Sequence, residues 1–226
     1  VAPSIKELFV QQLEGMILSG QLRPGEKLPT ERELADEMKI SNTVVHEGLR
    51  ELHRLGFLNI ASRRGVTVAD YAQAGSLETL RAIMDFHGGI PDRKTALSIL
   101  KLRYYLEAPA MVELAVQHTA ADMAALRALQ WQAEEASCRS TAEFAQALFR
   151  YHRGITFLSG NTITPLIFNA FATVNLAFWQ EYVAAEGAAR CLETLEQFTS
   201  YIESGDGKAA AALLRSGLDR FQQDRV

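Results

Sequence analysis

Apolar residues recur every three or four positions in three stretches of the first 56 residues, a spacing typical of amphipathic helices. The first stretch covers residues 5–17, the second begins after Thr30 and the third begins after Ser41. Thr30 and Glu33 have the spacing of a capping box, and Ser41 is a further N-cap candidate only a few residues beyond the second stretch. Two short helices joined by so brief a turn predict a helix-turn-helix.

The third predicted helix has an apolar side and a polar side. Its apolar residues fall at i, i+3, i+4 and i+7: Val45, Gly48, Leu49 and Leu52. Its opposite side carries Asn42, Thr43, His46 and Arg50. The N-terminal residues of such a helix are those that a recognition helix presents to a major groove. An isolated amphipathic helix more often has a polar side that is merely solvated. The neighbouring elements must therefore decide whether this helix contacts nucleic acid.

The hydrophobic pattern changes to a period of two after Gly56. Two short β-branched segments, FLNIA and GVTVA, flank the sequence SRRG and predict a hairpin. Arg63 and Arg64 lie in its turn. A hairpin with two cations directly behind a helix-turn-helix is a wing, placed to contact phosphates or a minor groove.

Beyond residue 75 the strand pattern is absent and only helices are predicted, six or seven of them. We expect a kink or a break at Pro109, because proline removes a helical hydrogen bond. The predicted fold is mainly α: a winged helix-turn-helix over residues 1–69, a linker over 70–75 and an all-α antiparallel helical bundle over 76–226.

Composition and charge narrow the classes of function. The formal net charge of −4 argues against indiscriminate binding to nucleic acid, but between Lys39 and Arg64 five basic residues face only Glu47 and Glu51. No apolar run is long enough to cross a bilayer, and no secretory signal is evident. The two cysteines form no CxxC pair. We therefore expect a cytoplasmic protein without a membrane partner.

The polar side of the third helix has the chemistry to read DNA. Asn42 can pair with adenine through the oxygen and the nitrogen of its side-chain amide, and His46 and Arg50 can donate to guanine or to a phosphate. The methyl group of Thr43 can contact thymine, and Ser41 at the helix N-terminus suits a phosphate. Because a wing follows, the order of elements favours double-stranded DNA as partner. The chain shows no GxSxG, HExxH or phosphate-loop motif, so we do not expect an enzyme.

Residues 17–57 resemble the N-terminal winged helix of GntR-type bacterial transcriptional regulators. The similarity lies in the Pro-Gly turn, the LPTERELA helix, the Ser-x-Thr opening of the third helix and the Leu-Gly that ends it. LRYYLE and HRGITFLSGN resemble the effector domain of the FadR branch. The resemblance implies a homodimer on a palindromic operator, an operator contact by Arg32, and a C-terminal domain for effector binding and dimerisation. We expect a repressor, and an activator is the open alternative.

The recognition helix departs from the family pattern. The family has arginine directly after the cap and again four residues on, where this chain has Asn42 and His46. Replacing a guanine-directed arginine by an adenine-directed amide predicts a different operator, or a contact weaker by about 1–3 kcal/mol. The alternative is a degenerate family member that acts as a protein-interaction module with weak DNA binding. Gly48 stands where the family prefers alanine, and close packing is the only role we assign to it.

Many members of this branch bind a divalent metal with one Asp and three His. The matching positions here are Leu148, His152, Leu195 and Gly217, and no histidine follows His152. A single imidazole does not hold a transition metal. The sequence therefore predicts no metal and no other cofactor.

The remaining polar residues of the helical domain suggest a pocket for an organic anion. The candidates for effector binding are Arg103, Glu107, His152, Asn175 and Trp179. Arg103 and Glu107 are four residues apart on one helix, so a plain ion pair is the competing interpretation, and His152 could be an ordinary core histidine. The resemblance leaves two effector types open, a long acyl thioester and a small carboxylate.

Overall fold

A computed structural model describes residues 2–62, 64–86 and 93–223. The chain divides into two compact units, Val1–Gly88 and Gly89–Val226. The described part of the first unit contains α1 (Ile5–Leu18), α2 (Glu31–Met38), α3 (Asn42–Arg54), β1 (Leu58–Ala61), β2 (Gly65–Val68), α4 (Tyr71–Ala74) and α5 (Leu77–Phe86). That of the second contains α6 (Arg93–Gln117), α7 (Ala120–Ser137), α8 (Thr141–Leu158), α9 (Thr164–Ala170), α10 (Ala172–Glu186), α11 (Ala188–Glu203) and α12 (Gly207–Gln223).

Local capping interactions define the helix-turn-helix. The Thr30 hydroxyl accepts from the Glu33 amide at 3.3 Å, and the Thr30 amide donates to the Glu33 carboxylate at 2.7 Å, so the predicted capping box is present. Helix α2 ends at Lys39, whose φ of 55° is left-handed and turns the chain. The Ser41 hydroxyl then accepts from the Val44 amide at 3.3 Å and starts α3.

Gly48 permits a close approach of α3 to α1. Val45, Leu49 and Leu52 are fully buried in the core of the first unit, next to Phe9. A methyl group built on Gly48 would lie 2.3 Å from the Cδ1 atom of Phe9. The close packing expected from the sequence is therefore a contact with an aromatic ring on α1.

Gly48→Ala is expected to lower the stability of the first unit by about 1–2 kcal/mol, because overlap with the Phe9 ring outweighs the gain in helix propensity. Amide hydrogen exchange in α3 measures this free energy locally. If the overlap is the cause, the Phe9→Leu/Gly48→Ala double variant will lose less than the sum of the two single changes. A Gly48→Ala protein as stable as the wild type would contradict the argument.

Strands β1 and β2 form the predicted hairpin. They pair antiparallel, with Leu58 opposite Val68 and Ala61 opposite Gly65. Gly65 has a φ of 89°, which favours glycine at the end of the turn. The predicted wing is thus present; Arg64 belongs to it, and Arg63 lies outside the described residues.

The segment after the wing differs from the prediction of a linker over 70–75 and a second domain from residue 76. Tyr71 begins the short helix α4 and packs against Phe57, with ring centroids 5.6 Å apart. Ala82 and Ile83 of α5 pack against the core of the first unit. These apolar contacts make α5 part of that unit, which ends at Gly88.

The second unit is an all-helical bundle. Helix α6 continues through Pro109, so the chain does not break there. The carbonyl that loses its partner belongs to Tyr105, and both Tyr105 and Pro109 are on the exposed side of the helix, where water can replace the hydrogen bond. The chain divides at Phe171, which separates α9 from α10. None of the described helices is long and apolar enough to span a membrane.

Candidate DNA-reading surface and effector cavity

The polar side of α3 is open to solvent. Asn42, Thr43, His46 and Arg50 are all exposed, whereas the opposite side of the helix is buried in the first unit. Within the described residues, Arg32, Asn42 and Arg50 make no hydrogen bond or ion pair that would occupy their polar groups. Ser41 accepts the capping bond but keeps its hydroxyl proton for another acceptor. The first unit therefore presents free donors around the start of α3.

His46 has a partner that the sequence did not indicate. Its Nδ1 atom lies 3.0 Å and 3.3 Å from the two carboxylate oxygens of Glu31, the first residue of α2. Both side chains are about half exposed. The pair connects the two helices of the helix-turn-helix, and only the turn between them brings these residues together.

Lys27 adds a cation beside the wing. Its Cε atom would lie 3.1 Å from a methyl group on Gly65, and its backbone bridges to Thr67. Lys27 and Arg64 are both exposed. Lys27 is not among the DNA-binding residues predicted from the sequence, because the loop between α1 and α2 shows no pattern that relates it to the hairpin.

The second unit contains a largely apolar cavity between five helices. Arg103 comes from α6, His152 from α8 and Trp179 from α10. The other lining residues are Leu148, Phe178, Tyr182, Cys191, Thr194, Leu195, Phe198, Leu213, Leu214, Gly217, Leu218 and Phe221. Three of the five predicted effector residues thus line one cavity.

Glu107 joins Arg103 to His152 behind the cavity wall. Its Oε1 accepts from Arg103 Nε at 2.5 Å, and its Oε2 lies 2.5 Å from His152 Nδ1. Glu107 has no exposed surface, and Arg103 and His152 are 5% and 1% exposed. Because a carboxylate only accepts, the Nδ1 atom of His152 carries the proton. Arg103 and Glu107 thus form the ion pair of the competing interpretation, and Arg103 also lines the cavity whereas Glu107 does not.

The charges of this cluster follow from its burial. Burial acts to raise the pKa of Glu107, but the Arg103 guanidinium and the hydrogen bonds from Arg103 and His152 outweigh it and hold the pKa at about 2. Burial lowers the pKa of His152 below its ordinary value, and the attraction of Glu107 does not reverse that shift. At neutral pH the cluster contains an ionised Glu107, a cationic Arg103 and a neutral imidazole.

Two donors in the cavity lack protein acceptors. The indole Nε1 of Trp179 is buried with no hydrogen-bond partner in the described part of the chain. The Arg103 guanidinium stacks on that indole, 4.4 Å from the ring centroid, and only its Nε is bonded, to Glu107. Asn175, also a predicted effector residue, is 1% exposed and lines a smaller cavity on another side of Arg103, where its Oδ1 has no partner.

Family models match both units. The model of the GntR family of bacterial regulatory proteins matches residues 6–68. The model of the FCD domain matches residues 98–220, more than half of the chain. The chain belongs to the GntR family and carries an FCD domain.

Relatives support the same assignment for this GntR-family chain. The HTH-type transcriptional regulator Mce2R of Mycobacterium tuberculosis is 28% identical over 180 residues, 74% of this chain and 69% of that protein. The fatty acid metabolism regulator protein of Klebsiella pneumoniae is 25% identical over 191 residues, 84% of this chain and 77% of that protein. The solved structure of Lar, which controls expression of the Listeria monocytogenes agr system, shares the fold, with a TM-score of 0.64 at 16% identity and coverage of 99% and 97%. The protein is a transcriptional regulator with a DNA-binding helix-turn-helix and an effector-binding domain.

The residues of the regulator do not fit the metal site described for many of its relatives. The four corresponding positions, Leu148, His152, Leu195 and Gly217, all line the cavity. Three of them have no metal-binding atom, and Glu107 occupies the Nδ1 side of His152. Among the described residues, no group of three or more His, Cys, Asp or Glu could hold a metal ion.

Proposed function

We propose that the regulator is a repressor that binds a palindromic operator as a homodimer, and that an organic anion bound in the FCD cavity without metal controls its DNA affinity. Dimerisation is typical of the GntR family. The second unit, Gly89–Val226, would provide effector binding and dimerisation in this proposal.

The observation that carries the effector proposal is the presence of donors without protein acceptors in the cavity. The terminal amino groups of Arg103 have no protein acceptor among the described residues, and neither has the buried Trp179 indole. The unpaired indole N–H costs about 1–3 kcal/mol, so an acceptor bound beside it removes a penalty present in the free protein. A carboxylate supplies two acceptor oxygens and a negative charge for Arg103.

The wall around these donors favours a ligand with an apolar body. Leucine and phenylalanine side chains make up most of the lining, and Leu148, Leu195 and Gly217 add apolar surface at the positions where the family resemblance implies metal ligands. An acyl-type effector and a small organic acid both combine an apolar body with an acceptor group. The name of the Klebsiella pneumoniae relative, a fatty acid metabolism regulator, supports the acyl type.

For DNA binding, the proposal assigns base contacts to the polar side of α3 and phosphate contacts to the residues around it. The proposed DNA-binding residues are Arg32, Ser41, Asn42, Thr43, His46, Arg50, Arg63 and Arg64, with Lys27 as an addition from the wing. Exposed and unpaired donors favour this function over the alternative of a protein-interaction module, because they keep the groups that an operator needs.

The test combines ligand identification with operator binding. Mass spectrometry of the denatured protein identifies a co-purifying small molecule, and fluorescence anisotropy measures binding to DNA from upstream of the regulator's own gene. We expect a carboxylate or acyl compound that weakens operator binding, and elemental analysis without stoichiometric zinc or nickel. Trp179→Phe, which keeps the ring but removes the N–H donor, is expected to weaken effector binding about 10-fold.

Trp131→Phe is the matched control, because Trp131 is 58% exposed on α7 and does not line the cavity. Its effector affinity should equal that of the wild type. Absence of an operator shift at low salt, with or without the effector, would reject the regulator proposal. Effector binding that requires a divalent metal would reject the metal-free cavity.

A further inference from the structure

The contact between His46 and Glu31 assigns the donor role to the Nδ1 atom of the histidine. Both carboxylate oxygens of Glu31 lie within 3.3 Å of His46 Nδ1. An ionised carboxylate has no proton to donate, so the proton of this hydrogen bond belongs to Nδ1. In a neutral imidazole with Nδ1 protonated, Nε2 carries a lone pair and is an acceptor.

The acceptor atom belongs to the surface that would face a duplex. His46 lies one turn after Asn42 on the exposed side of α3, and 53% of its side chain is exposed despite the contact with Glu31. The donors that a major groove offers are the N6 amino group of adenine and the N4 amino group of cytosine. Guanine offers only acceptors there, N7 and O6, which an acceptor atom cannot bind.

We propose that Glu31 determines operator specificity by holding His46 as an acceptor that reads the amino group of adenine or cytosine and disfavours guanine. The inference rests on the proposed DNA-binding function. Glu31 does not contact DNA in this proposal: it is a positioning residue that acts through His46. Asn42 is directed to adenine at the preceding turn, which leaves Arg50 as the free guanidinium on the same side of α3.

The competing explanation is an ordinary surface ion pair between α2 and α3. Such exposed pairs contribute little to stability, and one that acted only through stability or total charge would change affinity for all sequences alike. A change in base preference at a single position therefore separates the two explanations.

The experiment selects binding sites from a randomised duplex library with the full-length protein, and then measures affinity for operators that carry each of the four bases at the selected position. The position read by residue 46 is the one where His46→Arg changes the preference to guanine. We expect the wild type to prefer adenine or cytosine there. Glu31→Gln, whose amide can also donate to Nδ1, should reduce that preference about 5-fold or more.

Glu37→Gln is the matched control, because it removes the same charge from an exposed position of the same helix. It should leave the base preference unchanged, and circular dichroism checks that both variants fold. A measurement on the wild type alone adds an independent test: an operator base that lacks the amino group, such as purine in place of adenine, should bind about 10-fold more weakly at that position only.

The outcomes separate this inference from the proposed function. If the wild type enriches no sequence, both are rejected. If it enriches an operator but prefers guanine at this position, or if Glu31→Gln and Glu37→Gln have the same base preference, the role of Glu31 is rejected and the regulator proposal stands. An unchanged affinity for the purine-substituted operator would likewise reject the inference.

Discussion

Glu107→Gln is expected to lower the free energy of unfolding of the second unit by about 3–5 kcal/mol, because the change leaves the buried guanidinium of Arg103 without its anion. Glutamine keeps the volume of the side chain, so the loss reports on charge and not on a cavity. The two tryptophans of the chain, Trp131 and Trp179, both belong to the second unit, so urea unfolding followed by tryptophan fluorescence measures this unit.

The exposed pair between Arg127 and Glu203 in the same unit provides the control. Glu203→Gln should cost less than about 1 kcal/mol, because solvent replaces the lost partner. Arg103→Met/Glu107→Gln should recover part of the loss, since it removes the uncompensated charge together with its partner. Equal losses for Glu107→Gln and Glu203→Gln would show that burial does not strengthen the inner pair.

The stability difference between the wild type and Glu107→Gln depends on pH in a defined direction. The pKa of Glu107 is about 2 in the folded protein, below the ordinary value of 4.5. Its ionised form therefore stabilises the fold above pH 4.5, and the contribution is lost as the pH falls through 2. The difference between wild type and Glu107→Gln should be constant from pH 7 to about pH 5 and become smaller in stronger acid.

The local features of the fold could be predicted from the sequence because each depends on neighbouring residues. Thr30 and Glu33 mark the start of α2 by reciprocal hydrogen bonds across three positions, and the Ser41 hydroxyl caps α3 by accepting from the Val44 amide. The wing could be predicted because the hydrophobic pattern of its two strands has a period of two residues. The membership of α5 in the first unit could not, because it depends on contacts with α1 that no local pattern encodes.

In the candidate sites, too, contacts between residues distant in sequence could not be predicted from local patterns. Arg103 and Glu107 are one helical turn apart, so their ion pair was foreseeable, whereas His152 reaches Glu107 from 45 positions along the chain. Glu31 reaches His46 only through the geometry of the turn between α2 and α3. Spacing in sequence thus identified residues on one helix face, and the packing of helices determined which of them have partners and which remain free for a ligand.

A buried carboxylate on α1 leads to a prediction opposite to that for Glu107, because removing its charge should raise stability. Glu14 is 6% exposed in the first unit, and its Oε1 has no hydrogen-bond partner in the described part of the chain. Burial, with a smaller contribution from Asp85 on α5, raises the pKa of Glu14 to about 7 from an ordinary value of 4.5. The folded protein therefore holds a proton that the unfolded chain releases between these values, and stability falls as the pH rises through this window.

Glu14→Gln is expected to raise the free energy of unfolding of the first unit by about 1–3 kcal/mol at pH 8, because glutamine avoids a desolvated charge. At pH 4.5 the gain should be small, since Glu14 is then protonated in the folded protein. Unfolding followed by far-ultraviolet circular dichroism should show the change, and tryptophan fluorescence should not, because it reports on the second unit. Glu47→Gln, at an exposed position of α3, is the charge-matched control. A gain that is equal at both pH values, or equal in the control, would contradict the assignment of the penalty to the buried Glu14 carboxylate.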